Sequence, residues 1–400
     1  MLLSMRKRAR MVGILGTLTL VGALMVLLRP AASHAAPGPK TYTVKIDAKP
    51  PRGEMWDFMH FFPSSLAVHQ GDTIHFIWNG MGGPHTATLV NAARAHRWRT
   101  QHQGVGGNYQ LFVPDTRFGG DDKGRILNPT VASPSSPACG APSTPCTYAG
   151  VGVLNSGIQF SNPTNQPSFD VTVDPSTPVG EYTVLCLLHA GMEMHLYVVP
   201  PGARIQSPGQ VAADARAEIS HAKKVDGPAA DAKAQRVRRQ RMADGHVHWW
   251  IHAGGVVGGV TADEYLDRTL RVHRGDRITV RGSMEIHNLA FPLKRVKTRP
   301  FLKTVCEVPG PDQPATSPFD CAAPTDFRLD LNRKVTRHTS HRLVKGKVRN
   351  SGILHSPHVV DGMAFPFRQH FTFRAVQAGR FHGMCNVHGP RMDIHIRVLR

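Results

Sequence analysis

The segment "VLCLLHAGMEMHLYVV", residues 184–199, packs a cysteine, two histidines and two methionines into ten residues between apolar stretches of strand character. A second segment, "CNVHGPRMDIHIRVL" at 385–399, repeats the order Cys, His, Met, His. Upstream, "GMGGPHTATL" carries His85 and "GSMEIHNLAFP" carries His287, each just after a strand that begins "GD". The candidate ligand sets are therefore His85, Cys186, His189 and Met192, and His287, Cys385, His388 and Met392. Thiolate and thioether suit a soft, reduced ion, and imidazole accepts both states of an ion that cycles. Two imidazoles and a thiolate in a plane, with a weak thioether on the axis, form the donor set of a blue copper centre. A loop bringing Cys, His and Met together, closed by a histidine from a neighbouring strand, would fix that geometry before copper arrives.

The two loops differ in detail. Spacing is C-x2-H-x2-M in the first and C-x2-H-x3-M in the second, where Pro390 and Arg391 lengthen the turn. Arg391 reads as a solvent-facing residue. Met194 is an alternative axial ligand in the first loop, but aligning "MEMHL" with "MDIHI" sets it against Ile394 and turns it towards a core, which favours Met192.

The elements that must position these ligands also recur. "LAVHQGDTIHFIW" at 66–78 matches "LRVHRGDRITVRG" at 270–282, and "LNSGI" at 154–158 matches "RNSGI" at 349–353. With the ligand loops the blocks keep one order, so the chain is two copies of one unit. Each copy is rich in strands: "TYTVKI" puts Tyr42, Val44 and Ile46 on one face, and "MDIHIRV" alternates Ile394, Ile396 and Val398 with polar residues. Short alternating strands closed by Gly/Pro turns predict an all-β chain with a Greek-key β-sandwich in each half, over 40–200 and 245–400. Between them, 201–244 is Ala-rich with alternating charge and reads as a partly helical or disordered linker. Its apolar residues are too few and too small to make a core.

In "FDVTV" and "GEYTVLCLLHAGM" within 169–192, together with "GD" and "PH" at 71–85, the chain resembles the cupredoxins, the plastocyanin- and azurin-like blue copper proteins. The resemblance covers both repeats but not the first 35 residues, the linker or the long cysteine-bearing loops. It implies two eight-stranded sandwiches, each with a type 1 copper at one pole, used for electron transfer.

The remaining cysteines and the N-terminus speak to compartment. "RKRAR" at 6–10, the apolar run at 11–28 and small residues up to Ala35 read as an export signal; an uncleaved anchor through 11–28 is the alternative. Either way the chain is expected outside the cytoplasm, where cysteines pair. Cys139 and Cys146 bracket one Pro/Ser-rich loop and Cys306 and Cys321 another, so each pair reads as a local disulfide, leaving Cys186 and Cys385 as thiols. The net charge of +20 is spread along the chain apart from "RVRRQR" at 236–241. For an exported protein this predicts a solvated surface with some envelope or membrane-surface affinity, not a nucleic-acid partner.

There are 23 histidines, so the others need placing. His69, His273, His195 and His395 alternate outward from apolar neighbours and read as surface residues. In "HVHWWIH", His246, His248 and His252 share one strand face, which is either a second kind of metal site or simply a polar face.

Three functions fit this ligand set. An electron carrier would use the small, apolar surroundings of His189 and His388 to touch a redox partner through a dry patch. A copper-binding or delivery protein, meeting a copper donor or acceptor, would use the same ligands. A two-domain copper oxidoreductase, of nitrite reductase or small laccase type, would need a histidine next to the cysteine. Here Cys186 is flanked by Leu185 and Leu187, and Cys385 by Met384 and Asn386, which argues against an enzyme.

Overall fold

The computed structural model describes residues 38–80, 83–101, 112–114, 125–127, 129–161, 166–189, 191–299, 302–303, 330–355 and 368–400. The N-terminal segment 1–35 and the expected pair Cys306 and Cys321 lie outside them. Among the described residues, no helix is long and apolar enough to cross a membrane.

Alternation sets the sheets. In Thr41–Ile46 and Thr73–Trp78 every second residue is buried, so Tyr42, Val44, Ile46, Ile74, Phe76 and Trp78 turn to one side. These strands pair in parallel at the centre of a five-stranded sheet that runs Cys146–Tyr148, Ser168–Val173, Thr73–Trp78, Thr41–Ile46, Phe61–Phe62. A second sheet, Val153–Asn155, Thr88–Asn91, Gly180–Leu185, Glu193–Val198, Ser65–Val68, faces it, and the two close over one apolar core. The second half repeats the plan. Arg238–Arg241, Val247–Ala253, Arg277–Gly282, His370–Ala375 and Arg342–Leu343 form one sheet. Leu270–His273, Gly389–Leu399, Gly379–Cys385, Ala290–Phe291 and Arg349–Asn350 form the other, and they share a second core. The fold is thus all-β, two sandwiches. Each has more strands than the eight the resemblance implies, because short edge pieces such as Phe61–Phe62 and Cys146–Tyr148 widen the sheets.

The repeated "H-x-G-D" is a turn device. Gly71 and Gly275 adopt φ +87° and +104°, where a side chain is strained. The buried carboxylate of Asp72 accepts from the backbone N–H of Lys40 and His69, and that of Asp276 from Val247 and His273. The backbone N–H of His69 and of His273 thus ties the end of each preceding strand to its turn. The expected disulfide between Cys139 and Cys146 is present, and Cys186 and Cys385 are free and buried.

The linker is largely helical, one of the two states its sequence allowed. Pro208–His221 begins with a capping box from Ser207 and Gln210, passes through a π-helical segment, Ala222–Asp226, and continues as Gly227–Ala234. It does not stand exposed. Ala215, Ala222, Ala230 and Ala234 pack with Trp56, Phe58, Phe62, Val260 and Ala262 in a third apolar cluster. Small residues that cannot build a core of their own let the helix backbone lie against a large ring: a Cβ on Gly227 would sit 2.4 Å from Trp56. Trp56 Nε1 also donates to Asp231 at 2.7 Å. In the same region Trp56–Phe58, from the first half, pairs with Val260–Ala262 of the second, completing a three-stranded sheet with Gly255–Val257. From Gly38 to Arg400 the chain is one compact unit.

Candidate metal centres

In each centre the end of one strand and the turn after it meet a histidine from upstream. In the first, Gly180–Leu185 delivers Cys186 from the sheet, the turn brings back His189, and Pro84–His85 supplies the upstream histidine. Nδ1 of His85 and Nδ1 of His189 stand 3.1 Å apart, and Cys186 Sγ is 3.9 Å from the first and 3.5 Å from the second. A first-row ion centred in a trigonal plane, with bonds of about 2.0 Å to nitrogen and about 2.3 Å to sulfur, needs edges of about 3.5 and 3.7 Å. The donor triangle fits such an ion with shifts of a few tenths of an ångström.

The second centre has the same shape. Nδ1 of His287 and Nδ1 of His388 are 3.1 Å apart, and Cys385 Sγ is 3.7 Å from His388 Nδ1. In each trio the donor atoms lie within 4.8 Å of one another. Met192 and Met392 are buried in the cores beside these loops. Cys186 N–H donates to the Met192 carbonyl and Met192 N–H to the His189 carbonyl, so the first loop is folded back upon itself. Met194, buried on Glu193–Val198, aligns with Leu196 and Val198 on its core face.

A shared frame that sequence reading missed holds both trios. The residue after the upstream histidine, Thr86 or Asn288, donates its backbone N–H to the cysteine sulfur, at 3.4 and 3.5 Å. Its side chain accepts the backbone N–H of the residue after the cysteine, Leu187 or Asn386. The recurring "N-S-G" anchors the next layer. Ser156 accepts from Ala87 N–H, and Ser351 from Leu289 N–H. Asn155 accepts from the Thr88 hydroxyl and donates to the carbonyls of Thr130, Val131 and Ser133. The repetition of "NSGI" was the available signal; its role was not legible because its partners lie far off in sequence.

The outer ring nitrogens meet carboxylates that sequence did not suggest. His85 Nε2 is 3.5 Å from Asp47, His189 Nε2 is 3.8 Å from Glu285, and His388 Nε2 is 3.8 Å from Asp263. His287 Nε2 instead meets the Ser283 hydroxyl at 2.8 Å. Glu285 belongs to the second repeat yet faces a histidine of the first. The His189 and His388 side chains are only 12% and 15% exposed, and Leu188 and Val387 pack against the two cores. The open apolar patch expected around these histidines is accordingly reduced.

This surround makes the two centres electrically unlike. Burial alone would lower the His85 imidazole, but Asp47 on one nitrogen and Cys186 on the other outweigh it and hold it up at about 10. Burial would raise the Cys186 thiol, yet His189 and His85 bring it well below its usual range. In the second centre burial prevails. The Cys385 thiol is raised, and His388 falls to about 4.

Of the other histidines, His248 hydrogen-bonds Thr279 at 2.7 Å and stacks on Trp250. A third donor group does exist among the described residues, at His382, Asp393 and His395.

No protein-family model matches the chain, and no curated protein is similar to it. Solved structures with partial likeness include a reduced auracyanin from Roseiflexus castenholzii, 14% identical over 41% of this chain and 99% of that one, with a TM-score of 0.23. A blue copper oxidase from Nitrosomonas europaea is 11% identical over 90% of this chain and 86% of its own, at 0.18. A copper-containing nitrite reductase from Thermus scotoductus SA-01 is 12% identical over 91% and 69%, at 0.19. The chemistry of the two centres is carried by this chain's own residues.

Proposed function

We propose that the chain is an exported protein with two type 1 copper centres, one in each cupredoxin-like repeat, that transfers electrons at the cell envelope to or from a redox partner protein. The observation that carries this reading is the doubled trio of two Nδ1 atoms and a buried free thiol, each held by the same backbone frame. Copper in such a plane supplies a one-electron couple. The protein's part is to keep the donors still. Thr86 and Asn288 fix the cysteine sulfur and the turn after it, while Asp47, Glu285, Ser283 and Asp263 face the outer ring nitrogens. Ligands held on both sides need little rearrangement when charge changes. Met192 and Met392, buried beside the two loops, would each supply a thioether to the ion.

Copper binding or delivery is the second reading, favoured by the limited exposure of His189 and His388, through which a carrier would meet its partner. An oxidoreductase is disfavoured by the absence of histidine beside either cysteine.

The test is a visible absorption titration of the protein with Cu(II), alongside Cys186→Ser and Cys385→Ser. An intense thiolate-to-copper band that saturates at two equivalents and falls by about half in each variant supports electron transfer. Tight binding of Cu(I) without such a band supports copper handling. No binding in either state overturns both.

A further inference from the structure

A cluster of side chains outside both centres has the makings of a metal site. Gly379–Cys385 and Gly389–Leu399 pair antiparallel, and the register sets His382 opposite His395 and Met384 opposite Asp393. The two imidazoles stack with centroids 4.0 Å apart and planes 21° from parallel. Both direct Nε2 at the same oxygen, Asp393 Oδ2: His382 in a short hydrogen bond and His395 at 3.6 Å. The three donor atoms lie within 4.8 Å of one another.

The mounting is rigid. Phe381, Gly383 and Met384 on one strand, and Met392, Ile394 and Ile396 on the other, are buried. The ligand-bearing residues therefore cannot move without disturbing the core. The outer side is open, since the side chains of His382, Asp393 and His395 are 38%, 36% and 55% exposed. Two imidazoles and one carboxylate on a firm base, with free positions towards water, are a three-ligand open site for a borderline divalent ion.

The first repeat is an internal control. Counting back three residues from the cysteine, His382 is replaced there by Thr183, which faces His195 in the same register. His195 pairs with Glu181 at 2.8 Å, at the position where the second repeat has Arg380. The donor trio is thus a feature of one repeat and not a consequence of the fold. Arg380 and Arg397 stand opposite each other two steps along the ladder. That positive pair disfavours ions held by charge alone, such as Ca²⁺ or Mg²⁺, and leaves those that bind imidazole strongly.

We propose that His382, Asp393 and His395 form a surface site for a divalent transition ion, copper(II) ahead of zinc(II) by the usual order of affinity. It lies three residues up the strand from Cys385, a separation of roughly 10 Å at the rise of an extended chain. The assignment does not depend on electron transfer at the buried centres.

The test is a Cu(II) titration of the full chain, read by electron paramagnetic resonance and calorimetry, beside His382→Thr, which copies the first repeat, and His395→Ala. The expected result is one equivalent with an imidazole-type copper signal, distinct from any blue band, whose affinity falls at least tenfold in both variants. Thermal unfolding of the metal-free variants should match the parent, showing that the loss is one of ligands. An unchanged titration in His382→Thr, or no equivalent beyond the buried centres, overturns the site. If the blue band is missing while this signal is present and lost in the variants, the buried-centre reading falls and this one stands.

Discussion

The carboxylate of Glu285 lies 3.8 Å from Nε2 of His189, although the two residues belong to different repeats. Glu285 is two positions before His287 of the other donor trio, so one short segment serves both. Replacing it, Glu285→Gln, removes a buried negative charge beside the first centre and keeps the shape. The reduction potential of that centre should rise by on the order of 50–100 mV, roughly 1–2 kcal/mol of lost support for the oxidised ion. The second centre should move by a smaller amount. Spectroelectrochemistry of the single variant checks this, and equal shifts at both centres would refute it.

The unequal surroundings predict unequal potentials in the parent as well. The first centre has a carboxylate behind each histidine, Asp47 and Glu285, whereas the second has one, Asp263 behind His388, and a hydroxyl behind His287. Negative charge favours the more positive oxidised state, so the centre at Cys385 should be reduced first. Stepwise reduction of the parent, with Cys186→Ser and Cys385→Ser to assign each step, decides the order.

Asn155 makes three donor contacts to the short helix Pro129–Ala132 and the residue after it, and accepts a fourth from Thr88. Asn155→Ala leaves buried carbonyls without partners and should cost roughly 2–4 kcal/mol. The loss should appear as a lower denaturation midpoint, with the absorption of the filled second centre unchanged.

A pH effect is built into the packed helix. Burial, and Asp231 alongside, raise Glu264 to about 7 from 4.5, against the opposing hydrogen bond from Gln235. The unfolded chain releases this proton at lower pH than the folded one. Stability should therefore fall as pH rises from about 4.5 to about 7 and level off above. With the group only partly buried, the loss is of order 1–2 kcal/mol. Glu264→Gln should match the parent near pH 4.5 and exceed it at pH 8 in thermal unfolding; equal pH profiles would rule the effect out.

The grouping of each His, Cys, His trio was legible in sequence because much of it is local: Cys186 and His189 sit within one turn, and the far histidine is marked by a repeated strand. The sandwiches were legible because alternation as in Thr41–Ile46 is itself the signature of a strand with one buried face. What was not legible depends on pairing over long separations. Asp47 reaches His85 through its own φ of +64° and two backbone donors, Ala48 and Phe58. Glu285 reaches His189 only through docking of the repeats, and Asp263 reaches His388 from far off in the same repeat; no local pattern encodes either. The linker was read from its alanines as unable to form a core, yet small residues are what close packing against Trp56 requires.

The strand Trp56–Phe58 has a further consequence. It lies in the first repeat and finds its hydrogen-bonding neighbour in Val260–Ala262 of the second, under a helix that belongs to neither. Cutting the chain at 201–244 would strip that strand of its partner and lay bare Trp56, Phe58 and Phe62 together. A half-length product would be a sticky fragment, not a smaller version of the whole. The two halves are thus mutually dependent: the strand of one is finished by the other.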